Sequence, residues 1–295
     1  MEAAFLYTGQ GWQYPGMLRD VPDSAEKRLR FEEAGDVLGR RITDLDAAET
    51  MDSNENVQLC IFLAETVLTA AARERCSCLV TSGHSIGSFA AAVASGAVSF
   101  ADALRLVEAR GRTMEALFSA GYGMLAVHGL THSLSDAVLA EFCAENPGAE
   151  VYAAARNEEL QCVYSGRRGD LADFRGFMQK RYPVRCQLLR VKVPSHCVLM
   201  HPVSELLERL TGKMAWHALR TPYLANSTGD RVWRPEPVRR DLIDGVSRTV
   251  RWYDGVSMMQ ELGVERFVEI SLDGTLTAIG RRCAPELQWL RLDQL

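Results

Sequence analysis

The chain has 295 residues, 47% hydrophobic and 24% charged. That balance suits one large globular domain, or a large domain carrying a smaller one, and excludes disordered and collagen-like chains. A net charge of −5 argues against a nucleic-acid partner, which needs a basic face, and no apolar run approaches the ~20 residues that span a bilayer.

In chain order, the start Met1-Glu2-Ala3-Ala4-Phe5 lacks a basic cluster, so no signal peptide is expected. Ala3–Tyr7 reads as a buried strand ending in the tight turn Gly9-Gln10-Gly11. Ser24–Leu38 spaces its apolar residues as a helix does, and Val57–Arg73 is long enough to be a buried helix rather than a strand. Cys78–Thr81 is a short strand running into Gly83-His84-Ser85-Ile86-Gly87, followed by helices at Ser88–Ala94 and Phe100–Phe118.

The pattern then changes. Short strand-like runs (Met124–Val127, Val151–Ala155, Gln161–Tyr164, Leu188–Val191) alternate with helical ones (Leu134–Glu145, Leu171–Arg181), which suggests an inserted α+β unit. After Pro194 come helices at Pro202–Leu210 and Val256–Leu262, a strand at Arg266–Ile270 and a turn at Gly274. The expectation is an α/β fold: a parallel-sheet core over 1–121 and 192–295, interrupted by a small subdomain over 122–191. Eight cysteines without a CxxC pair read as thiols of a reducing compartment, hence a cytoplasmic protein.

The sharpest chemical signal is Gly83–Gly87, a G-x-S-x-G between a strand and a helix. Such a turn lifts the Ser oxygen off the sheet edge and aims backbone N–H groups at a developing oxyanion. A serine nucleophile needs a base, and His has the pKa for it. His84 adjoins Ser85 and points away from it on such an elbow. His128, His132 and His217 lie in segments without another polar cluster. His196, in Val193-Pro194-Ser195-His196-Cys197, follows a strand and precedes a helix, a loop type that presents catalytic groups. His201 is five residues on, the wrong spacing for a helical metal pair, so no metal is expected. Arg110 falls beside the apolar stripe of its helix, where it either snorkels or clamps a carboxylate. Gly9-Gln10-Gly11-Trp12-Gln13 begins like a dinucleotide loop, but Tyr14 stands where the third glycine belongs.

Taken in order, these elements resemble the malonyl-CoA:acyl-carrier-protein transacylase family. The likeness runs through Thr8–Gln13, Gly83–Gly87, Phe100–Gly111, Gly123-Met124, Val193–Cys197 and Val250-Arg251-Trp252, nearly the whole chain. It implies an α/β-hydrolase-like core with a small ferredoxin-like subdomain. It also implies a catalytic pair, Ser85 as acylated nucleophile and His196 as base. Arg110 would hold the malonyl carboxylate, and the Gln10 and Ile86 N–H groups would form the oxyanion hole. The backbone carbonyl of Arg251 would orient the base. No permanently bound cofactor is implied; malonyl-CoA is the donor and an acyl carrier protein the partner. Departures are Tyr7-Thr8 for the usual Phe-Pro, Trp12 for a small residue beside the hole, and Ser271-Leu272-Asp273-Gly274 for Gly-Pro-Gly.

Within the family, Pro15–Leu18, Leu45-Asp46, Asn56–Leu59, Gly121–Met124 and Val250–Asp254 are similar to the epsilon subunit of malonate decarboxylase. That likeness implies a carrier subunit with a phosphoribosyl-dephospho-CoA arm, with Arg156, Arg190 and Lys192 as candidate phosphate contacts near the mouth. The alternatives are a transacylase of fatty acid or polyketide synthesis, a serine hydrolase of the same fold, and a non-catalytic scaffold.

Overall fold

Strand β1 (Glu2–Tyr7) is buried from Ala3 onward, and the remaining elements are laid around it. In this computed structural model, which describes residues 1–295, it is followed by α1 (Met17–Asp20), α2 (Ala25–Leu38), α3 (Asn54–Arg75) and β2 (Ser77–Gly83). Next come α4 (Gly87–Ser95), α5 (Phe100–Leu117), β3 (Tyr122–His128), α6 (His132–Glu145), β4 (Val151–Glu158), β5 (Gln161–Arg167), α7 (Arg168–Gln179) and β6 (Arg185–Leu188). The chain closes with α8 (His201–Thr211), β7 (Tyr223–Leu224), β8 (Arg231–Val232), α9 (Pro235–Asp244), α10 (Trp252–Glu261), β9 (Arg266–Glu269), α11 (Thr275–Cys283) and β10 (Gln288–Arg291).

Two sheets result. The larger has the order β10-β9-β1-β2-β7-β8. Its first five strands are parallel, but β8 returns antiparallel to β7, so the expected parallel sheet is mixed at one edge. The smaller sheet is antiparallel, in the order β4-β5-β3-β6, with α6 and α7 as its two crossovers. Side chains of β3 alternate as a strand's period of two requires. Leu125 and Val127 pack with Phe142 and Phe174 of α6 and α7, whereas Met124 and Ala126 face the larger unit. A backbone bridge between Ala155 and Val250 joins the units.

Helix starts follow their sequence signals. Ser24, Ser53, Ser99 and Thr131 each accept a hydrogen bond from the third helical N–H, worth about 1 kcal/mol apiece. Helix α3 is apolar nearly all round from Val57 to Leu68, and it is accordingly buried along that length. The last small strand differs from expectation: it covers Arg185–Leu188, not Leu188–Val191. The strand ends at Leu188, with one further bond from the Leu189 N–H to the Met124 carbonyl of β3, and Leu189 and Val191 line the cavity described below. No helix is long and apolar enough to cross a membrane, and all eight cysteines are free thiols.

Candidate active site

β2 delivers Ser85 to the end of the larger sheet, and the turn into α4 is tight on both sides. A Cβ at Gly83 would overlap the backbone of Gly87 and Ser88, and one at Gly87 would overlap the carbonyls of Tyr7 and Thr8. Glycine is therefore needed at these two positions for close backbone approach. The strain sits on the serine: Ser85 has φ 57° and His196 φ 63°, the only positive values among non-glycine residues. Such backbone costs on the order of 1–3 kcal/mol and persists only where its surroundings over-determine it. Here Asn226 Oδ1 accepts the Ser85 N–H at 3.1 Å, and the His196 N–H is held by the Val246 carbonyl at 2.9 Å.

The two strained residues meet. Ser85 Oγ lies 2.7 Å from His196 Nε2, and His196 Nδ1 donates to the Gly245 carbonyl at 2.6 Å. That second bond fixes the tautomer, leaving Nε2 free to accept the serine proton. Burial first, and the nearby Arg110 charge second, push the His196 pKa down to about 3, so the imidazole is neutral at physiological pH.

The orienting carbonyl corrects one expectation. It belongs to Gly245, not Arg251. Gly245 follows the last turn of α9, where carbonyls lack helical partners and are free to accept. Arg251 instead caps α10: its N–H goes to the Asn226 carbonyl and its side chain to Asp254 at 2.6 Å.

Arg110 is 2% exposed and comes from α5, beside the elbow. Its Nη2 donates to Ser85 Oγ at 3.3 Å and its Nη1 to Gln58 Oε1 of α3 at 2.5 Å. Helices α3 and α5 can close on one another because position 111 is glycine; a Cβ there would stand 2.6 Å from Glu55 Cα. No carboxylate of the chain pairs with Arg110. Burial lowers its pKa only to about 10, so it remains a cation. A buried unpaired cation is costly, and an anion placed beside it would relieve that cost.

Gln10 lines the cavity with Ser85 and Ile86 follows Ser85 in the chain, and neither backbone N–H has a partner within the protein. Both N–H groups are thus available to an oxyanion beside Ser85. Trp12 stays out of the way: it is buried in the main core and does not line the cavity. His84 bonds Asn157 Oδ1 at 3.0 Å, packs near Trp252 and lines the same cavity as Ser85.

A cavity of about 620 Å³ opens from Ser85 and His196 between the larger sheet, the smaller sheet and α11. His128, set aside on sequence grounds, lines it. Its basic residues are Arg185 and Arg282, the latter paired with Glu158 at 2.7 Å. Arg156, Arg190 and Lys192 do not line it; Arg156 pairs with Asp136 and Lys192 with Asp52. No cluster of three or more metal-ligating side chains forms. The site residues that sequence reasoning missed are Gln58, Asn226 and Gly245.

Comparison with known proteins supplies the remaining context. Residues 4–288 match the family model described as acyl transferase domain. The malonyl CoA-acyl carrier protein transacylase of Escherichia coli K12 is 30% identical over 291 residues, covering 96% of this chain and 93% of that protein. The enzyme of the same name from Bacillus subtilis is 29% identical, covering 95% and 90%. Among solved structures, the Clostridium perfringens malonyl CoA-acyl carrier protein transacylase superposes with a TM-score of 0.91 at 26% identity, covering 100% of this chain and 94% of that one. A type II polyketide acyl-carrier protein in complex with its malonyl-transacylase gives 0.88 at 27%, covering 99% and 94%.

Proposed function

The chain belongs to the acyl transferase domain family and is an acyltransferase, and from that premise we propose that it moves a malonyl group from malonyl-CoA to the thiol of an acyl carrier protein. Ser85 Oγ attacks the thioester carbonyl while His196 Nε2 takes its proton. The oxyanion is held by the N–H groups of Gln10 and Ile86. Collapse breaks the C–S bond, His196 returns the proton to the departing CoA thiolate, and a malonyl ester remains on Ser85. The carrier thiol then attacks that ester by the same steps, giving its proton to His196, and Ser85 regains its proton as it leaves. The Gly245 carbonyl stabilises the imidazolium at each stage. No resident cofactor is needed.

The observation that carries this reading is Arg110, a buried guanidinium without an acidic partner beside the nucleophile. A hydrolase of neutral esters has no use for that charge, and a scaffold has no use for a Ser–His pair at bonding distance. Arg110→Ala is therefore expected to lower malonyl transfer relative to acetyl transfer by about 100-fold, since losing a buried charge-assisted contact to a carboxylate costs on the order of 3 kcal/mol. Rates of Ser85 acylation with the two CoA esters check this; equal losses would make Arg110 structural.

The βαββαβ order of the smaller sheet supports treating 122–191 as a ferredoxin-like subdomain on an α/β-hydrolase-like core. Eight free thiols and a CoA donor fit a cytoplasmic setting.

For the acceptor, the named relatives favour an acyl carrier protein of fatty acid or polyketide synthesis. A second reading, the carrier subunit of malonate decarboxylase, is favoured by the segments Asn56–Leu59, Gly121–Met124 and Val250–Asp254. The two are separated by kcat/KM for two holo-carriers at one salt concentration. A phosphopantetheine carrier is expected to be preferred on the first reading. A preference for the phosphoribosyl-dephospho-CoA carrier would select the second, the longer arm adding phosphates that Arg185 could contact.

A further inference from the structure

Thr8 differs from the proline usual at its position in having an N–H, and that N–H is buried. It donates to Glu65 Oε1 at 2.5 Å, and the Thr8 hydroxyl donates to the same oxygen at 2.9 Å. On Thr8's other side lies the elbow, packed so closely that a Cβ at Gly87 would overlap the Thr8 carbonyl. Thr8 is thus held between an acid of α3 and the turn that carries the nucleophile. The next two residues are Gly9, whose Cβ position lies 3.7 Å from Ser85 Cβ, and Gln10, which carries an oxyanion-hole N–H.

α3 grips this segment at three heights. Thr69 bonds the Tyr7 hydroxyl at 3.1 Å, Glu65 bonds Thr8, and Asn54 accepts from the Gln10 side chain at 3.1 Å. Two turns from Glu65 on the same face, Gln58 holds Arg110. One helix therefore sets both the oxyanion loop and the carboxylate clamp.

We propose that Glu65 is a positioning residue for the oxyanion hole, fixing the Thr8–Gly9–Gln10 turn so that the Gln10 N–H faces the carbonyl under attack at Ser85. The proposal rests on the acyl-transfer reading above. Glu65 is fully buried, and its second oxygen has no partner. Burial, opposed by the Thr8 bonds and reinforced by Glu269, holds its carboxyl well above the usual carboxylate range. One buried oxygen of Glu65 thus holds both donors of Thr8 and, through them, the start of the turn.

The test is single-turnover acylation of Ser85 by malonyl-CoA in the full chain, for Glu65→Ala, Glu65→Gln and Thr8→Val. Glu65→Ala is expected to lower the maximal acylation rate by about 100-fold, with half-saturation changed by less than about threefold, because a displaced donor acts on the transition state. Glu65→Gln keeps a side-chain oxygen that can accept from Thr8 and is expected to stay within about threefold of the unmodified rate. Thr8→Val, which keeps the N–H and folds without a new buried polar group, is expected to lose about tenfold. An unmodified rate in Thr8→Val or Glu65→Ala would overturn the proposal. So would a loss confined to half-saturation, or an equal loss in Glu65→Gln and Glu65→Ala. Failure of the unmodified chain to acylate Ser85 would instead overturn the reading beneath it.

Discussion

Ser85→Ala is expected to abolish acyl-enzyme formation and transfer to the carrier. The substitution removes the attacking oxygen, and Ser85 is the only serine with positive φ or on a strand-to-helix elbow. The variant should fold, because the contacts that hold the elbow are made by the Ser85 backbone, to Asn226, and by its glycine neighbours. Relief of backbone strain does not follow, since alanine meets the same penalty at φ 57°. The check is stoichiometric labelling with malonyl-CoA alongside a thermal melt. Retained labelling at a native melting temperature would remove Ser85 from the mechanism.

His196→Ala is expected to slow acylation by on the order of 10⁴- to 10⁶-fold, because nucleophile and base fail as one unit. The free-enzyme pH profile reports the same residue. The His196 pKa is pushed below its ordinary value to about 3, by burial first and Arg110 second. The neutral, active form therefore persists on the acid side of the ordinary histidine range. The kcat/KM profile should stay flat through pH 6.5 and fall only well below it. A bound malonate neutralises Arg110, so the acid limb of kcat should lie at higher pH than that of kcat/KM. An acid limb of kcat/KM near 6.5 would show that His196 is solvated and that the buried geometry does not hold in solution.

What was legible in the sequence was what is local. The elbow announces itself because two glycines and a serine must follow a strand within five residues. The βαββαβ insertion shows in its alternating periods, and His196 shows by its place between a strand and a helix. What was not legible depends on contacts across the chain. Gln58 meets Arg110 from 52 positions away, Gly245 meets His196 from 49, and Asn226 meets Ser85 from 141. None leaves a local pattern. Assigning the orienting carbonyl to Arg251 failed for a related reason: a backbone carbonyl carries no side-chain signature, so only the fold reveals that the end of α9, not the start of α10, faces the base. The short pair β7 and β8 was missed because two-residue strands have no periodicity to detect. Arg110 was ambiguous until its surroundings were known; a snorkelling arginine would reach solvent, and this one is buried.

The central claim is a malonyl ester on Ser85 that is passed on to a thiol. Mixing the unmodified chain with radiolabelled malonyl-CoA, quenching and mapping the labelled peptide tests it most directly, especially if half the sample is first chased with a holo-carrier. The account predicts label on Ser85 alone, released into the carrier during the chase and little of it lost to water. Label on another residue, or label released only as free malonate, would contradict it.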